Sequence, residues 1–114
     1  MLNKEEAITL NNWLYKNFQL AFSKELLPLL ERVVEKIHPG GFPDFCRRLI
    51  DYYKQKKPDE AKNELEEFNK ISPKNKQLEE KEYAVKFFKF FAKQHPKEFT
   101  MLIVDYIEDS FKQE

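Results

Sequence analysis

Glycine is almost absent. Gly40 and Gly41 are the only two in 114 residues, which leaves little room for bulges and phosphate-cradling loops and argues for a chain built of helices. Cysteine is scarcer still. Cys46 stands alone, so no intrachain disulfide can form and a disulfide framework is excluded. His38 and His95 are the only other nitrogen or sulfur donors of the kind metals favour, and no spacing places two His on one helical face. No metal and no cofactor are therefore expected. Net charge is missing as well, with twenty basic against twenty acidic residues, which removes the strong positive field of a dedicated duplex-DNA binder. No uncharged apolar window approaches the roughly 18 residues of a membrane span, and Lys4, Glu5 and Glu6 precede any apolar run a signal peptide would need. The expectation is a cytoplasmic chain with no membrane partner.

What the chain has in quantity is aromatic and charged side chains. Eleven Phe, five Tyr and one Trp are present, densest from Tyr83 to Phe91, where Lys86 and Lys89 interrupt an otherwise apolar run. A chain of this length buries roughly two thirds of its unfolded surface, so one helical domain over 1–114 is expected. Charge is segregated near the C-terminal end. Residues 70–97 hold eight lysines against Glu79, Glu80 and Glu82, net +5, whereas residues 98–114 come to −4.

Proline and glycine divide the apolar periodicity into six helical segments, predicting an all-α compact bundle of five or six short helices. Asn3 and Glu6 make a capping box for a first helix reaching about Phe22, with Ala7, Leu10, Leu14, Phe18 and Ala21 inward. The second runs from near Ser23 or Pro28 to His38; a start with Pro28 as its first residue is preferred, since a start at Ser23 would put the proline past the first turn. The third, from Pro43 or Asp44 to about Lys56, turns Phe45, Cys46, Leu49, Ile50 and Tyr53 inward. A fourth begins at Pro58, with Asp59 and Glu60 favouring the helix dipole. The fifth covers about 78–95 and the sixth begins at Pro96. Between the second and third, Gly40-Gly41 reads as a helix stop, and Phe42 as a plug for the core.

A shift of 38 residues lays the third and fourth segments on the fifth and sixth. Leu49, Ile50, Tyr52 and Tyr53 fall on Phe87, Phe88, Phe90 and Phe91, and Pro58 falls on Pro96, as two similar helical hairpins packed on an N-terminal helix pair would give. Within the first of these, Phe45, Tyr52, Pro58-Asp59-Glu60-Ala61, Leu65 and Pro73 occupy positions that resemble a single tetratricopeptide repeat over residues 45–73. Leu49 and Phe68 depart from that pattern, standing where the family has small residues. The resemblance implies a scaffold that binds peptides or partner proteins without catalysis.

Enzyme chemistry finds little to use. Each His precedes a proline at a helix C-terminus, where an imidazole is expected to meet the dipole and the last carbonyls. Cys46 on an inward face is expected to be inert, and the adjacent carboxylates Glu5-Glu6, Glu66-Glu67 and Glu79-Glu80 diverge by about 100° on a helix. On the fifth helix, Ala84, Phe87, Phe88 and Phe91 form the core face and Lys86, Lys89 and Lys93 the polar one; Tyr83 and Phe90 lie at the border. On the sixth, Phe99, Leu102, Ile103 and Tyr106 point inward while Met101, Val104 and Phe111 fall on a second side. The expectation is a non-enzymatic interaction module that self-associates or docks a partner protein through Tyr83, Phe90, Met101, Val104 and Phe111. The alternative is an accessory subunit binding single-stranded nucleic acid through Lys86, Lys89 and Lys93 beside an aromatic.

Overall fold

Helices form wherever proline and glycine permit them. A computed structural model that describes residues 1–112 contains α1 (Lys4–Lys16), α2 (Leu26–Ile37), α3 (Gly41–Lys56), α4 (Pro58–Ile71), α5 (Glu80–Gln94) and α6 (Pro96–Phe111), with short 3₁₀ turns at Phe18–Leu20 and Pro73–Gln77. No strand occurs among the described residues, and the architecture is an all-α bundle.

The α1 capping box is present, with the Asn3 side chain accepting from the Glu6 amide and the Glu6 carboxylate from the Asn3 amide. The end of α1 differs from the expected Phe22. Asn17 leaves helical geometry, and its side chain donates to the Trp13 carbonyl at 2.8 Å, competing with the backbone as Asn does. The stripe therefore stops at Leu14; Phe18 turns outward and is exposed. In α2, Pro28 is the third helical residue rather than the first, a position still inside the first turn, where a missing N–H costs nothing.

The two hairpins, α3–α4 and α5–α6, are built alike at their turns. Lys57 and His95, each directly before a helix-opening proline, have φ/ψ of −136°/71° and −133°/65°. Proline's Cδ keeps the residue before it out of the α region, so the repeated proline sets the repeated turn. The hairpins meet along α3 and α5. Tyr53 and Phe91, the residues matched by the 38-residue shift, lie with ring centroids 5.3 Å apart, and Phe87 packs against Tyr53, Phe68, Phe88 and Phe91. Offset and edge-on ring pairs of this kind add to the burial of the rings themselves. α1 packs on α6 and α2 on α3, which closes the bundle. Phe42 is buried as the expected core plug, and Cys46 is buried on the inward face of α3.

Candidate interaction surfaces

The residues singled out on α5 separate into covered and open groups. The Tyr83 ring meets Phe68 of α4 at 5.3 Å and its hydroxyl donates to the Asn69 side chain at 2.8 Å. Phe90 meets the same Phe68 at 5.5 Å. Both are half-buried, packed against the core by one large side chain at a position where the tetratricopeptide pattern has alanine. Tyr83 and Phe90 are thus joined to α4 more than offered to solvent. On α6, Val104 is half-buried while Met101 and Phe111 are exposed. The five residues do not form one continuous open face.

Lys86, Lys89 and Lys93 are exposed, and none is in an ion pair among the described residues. Lys89 and Lys93 look across a shallow groove, floored by Leu27 and Ala92, toward Lys24 and Glu31. With Tyr83 and Phe90 held on Phe68, the lysine face has no free ring beside it on which a base would stack.

Both histidines contact carboxylates rather than only the helix ends expected for them. His38 lies between Glu6 of α1 and Asp44 of α3: Nδ1 faces Glu6 Oε2, and Nε2 is 2.8 Å from Asp44 Oδ2. The same Asp44 oxygen accepts from Arg48 Nε at 2.8 Å. Three helices are thereby tied at one point. Gly40 makes the approach possible: its φ of 98° suits glycine, and a Cβ there would sit 2.9 Å from the Asp44 Cβ. Burial alone would raise the Asp44 carboxyl, but hydrogen bonds from His38 and Arg48, with their charges, outweigh it and hold it down at about 2. Since both ring nitrogens of His38 are engaged by carboxylates, neither is free to take a proton from a nucleophile. His95 sits 3.2 Å from Glu64 of α4.

Burial pushes the Cys46 thiol far above its ordinary range. Among the described residues no group of three His, Cys, Asp or Glu side chains is placed to hold a metal ion, and no helix is long and apolar enough to cross a membrane. Tyr106, buried against Phe45 and Tyr52, has a hydroxyl without a hydrogen-bond partner among the described residues.

Most of the open large apolar side chains lie elsewhere, at the N-terminal end, with Ile71 at the end of α4 standing apart from them at 64% exposed. Tyr15 is 83% exposed, Phe18 67%, Phe22 47% and Ile8 43%. Ile8 and Tyr15 stand two turns apart on the outer face of α1, whose inner face buries Ala7 and Leu10. Phe22 is the only non-glycine residue with positive φ among the described residues, at 66°. Its amide donates to Thr100 Oγ1 of α6 at 2.9 Å, a tie that holds the segment after α1 in this unfavourable conformation. The sequence signal was charge rather than hydropathy. Lys16 is the only charged residue from Ala7 to Ser23, in a chain that is 35% charged. Helical periodicity hid this surface, because it assigned Phe18 to a longer α1 and to the core. Compared with known proteins, the chain matches no family model, no curated protein and no solved structure.

Proposed function

We propose that this chain is a non-enzymatic helical interaction module that docks a protein surface through the outer face of α1 and the segment following it. One observation carries the reading: four exposed apolar side chains, three of them aromatic, occupy the one long stretch from which charge is nearly absent. Depletion of charge with enrichment of aromatics marks the centre of protein interfaces more reliably than hydrophobicity does. Tyr15, Phe18 and Phe22 expose about two rings' worth of surface, roughly 300–500 Å², comparable to the largest patch a typical monomer shows. Of the C-terminal set, exposed Met101 follows Thr100, which holds Phe22, and so adjoins this segment, and the tetratricopeptide-like spacing of α3–α4 points to the same class of scaffold.

A photo-crosslinking phenylalanine analogue at position 18 is expected to give protein adducts in cells, and the same analogue at Lys62, on the exposed side of α4, none. Equal yields at both positions would sink the reading.

The second reading, an accessory subunit for single-stranded nucleic acid, is supported by the exposed Lys86, Lys89 and Lys93, none of which is in an ion pair among the described residues. It lacks a stacking ring beside them. Retardation of a single-stranded oligonucleotide at low salt, lost on neutralising the three lysines, would promote it over the first.

A further inference from the structure

The outer face of α1 has a symmetry that a face made for an unrelated partner does not need. Ile8 and Tyr15 lie seven residues apart and stack on one side of the helix. Midway between them are Asn11 and Asn12, both exposed. Each carries an amide that donates and accepts, so two copies of it satisfy one another. Glu5 and Lys16, also exposed, are eleven residues apart, three full turns, and therefore share one edge of that face. They are separated along the helix by roughly 16 Å, too far to pair within one molecule. Among the described residues neither has an ion-pair partner.

All three relations are centred near Asn11. A two-fold axis there, perpendicular to α1, lays a second α1 antiparallel on the first. Under that operation residue i comes level with residue 23 − i of the other copy, so Ile8 meets Tyr15 twice, while Asn11 meets Asn11 on one edge and Asn12 meets Asn12 on the other. The same operation brings like edge against like edge. Glu5 of one copy then comes within about 3 Å, measured along the helix, of the level of Lys16 of the other, inside the reach of a lysine stem. Phe18 comes level with the first turn of the second α1. Net charge does not oppose the pairing, because Lys16 is the only charge between Ala7 and Ser23 and Glu5 answers it.

We propose that the occupant of this face is a second copy of the chain, joined through an antiparallel, isologous α1–α1 contact centred on Asn11 and Asn12. The inference rests on the interaction-module reading and names its partner. The exposed aromatics alone supply about half of the roughly 800 Å² per partner that a standard interface buries. Ile8, the two asparagines and the Glu5/Lys16 edge add to it. The result is a modest, reversible dimer.

Three measurements on the whole chain decide it. Sedimentation equilibrium up to about 1 mM, where even millimolar self-affinity is visible, is expected to give a monomer–dimer equilibrium. Asn12→Cys is expected to oxidise to a disulfide dimer, while Lys62→Cys on α4 stays monomeric; the buried Cys46 does not compete. Lys16→Glu is expected to weaken the dimer about tenfold, through two lost ion pairs and two new repulsions. Adding Glu5→Lys to it is expected to restore the affinity to within about threefold, a rescue that a fold defect would not show. A strict monomer, or failure of both the disulfide and the rescue, overturns the proposal. If position 18 still crosslinks to another protein in that case, the interaction module stands and only self-pairing falls; if it crosslinks to nothing, both fall.

Discussion

Replacing Asp44 by Asn removes the charge on which three helices converge. In the native arrangement one carboxylate oxygen accepts from His38 and Arg48, each at 2.8 Å, while Arg47 stands 3.7 Å from the other. The interactions lower the carboxyl from 3.8 to about 2, and a difference of that size corresponds to about 2 kcal/mol of stability at neutral pH. The side chain is 12% exposed, so solvent screening removes little of this. Asparagine keeps the shape and can leave its oxygen to His38 and Arg48, but both hydrogen bonds lose the charge on their acceptor, the amide turns toward Arg47, and α3 loses a negative charge in its first turn. Urea unfolding at pH 7 is expected to show a loss of about 2–3 kcal/mol. The pH dependence gives a second check. Because the folded carboxyl titrates below its unfolded value, its contribution is complete above 3.8 and disappears as pH falls toward 2. Wild type should therefore lose stability through that window more steeply than Asp44→Asn. The variant keeps the part of the slope due to Asp109, whose carboxyl Tyr52 and Lys56 also hold below its ordinary range. As a control, Asp51→Asn, at an exposed ion pair with Arg47, should change stability by less than about 0.5 kcal/mol. An Asp44→Asn protein within about 0.5 kcal/mol of wild type, with the same acid slope, would refute the idea that this cluster ties α1, α2 and α3.

Other substitutions test the packing and the strain. Phe87→Ala empties a site walled by four rings and should cost about 3–5 kcal/mol by chemical denaturation; a cost below about 2 would mean the α3–α5 seam collapses easily. Tyr106→Phe removes a buried hydroxyl with no partner among the described residues and should be neutral or slightly stabilising. Tyr53→Phe, by contrast, deletes a 2.8 Å hydrogen bond to Glu60 and should cost about 1 kcal/mol; the reverse order in thermal melts would contradict these assignments. Phe22→Asn places a residue tolerant of positive φ at 66°, so it should raise stability by about 0.5 kcal/mol while weakening association. Destabilisation by more than about 1 kcal/mol would show that the Phe22 ring belongs to the core.

The helices were legible because their stops are covalent facts: prolines open α4 and α6, and Pro39-Gly40 separates α2 from α3. The core of α5 was equally legible, since Phe87, Phe88 and Phe91 recur at helical spacing around lysines. Two things were hidden for physical reasons. The end of α1 depends on a side-chain hydrogen bond from Asn17, which periodicity does not register, and that single event turns Phe18 from an expected core residue into a surface one. The His38 cluster joins residues from three helices, Glu6, His38 and Asp44, and only the fold of the Gly40 turn brings the last two together. Tyr83 and Phe90 illustrate the converse. Their place on the α5 wheel left them open, and Phe68 on a different helix half-buried them.

At the centre stands the charge-poor aromatic stretch as a contact surface between two copies of the chain. Amide chemical shifts of the isotopically labelled chain, followed by NMR as it is diluted from high to low concentration, test this residue by residue. The expected result is a set of concentration-dependent shifts confined to residues 5–22 and the neighbouring part of α6 around Thr100 and Met101. Shifts that cluster instead around Lys86, Lys89 and Lys93, or a spectrum that does not change at all on dilution, would contradict it.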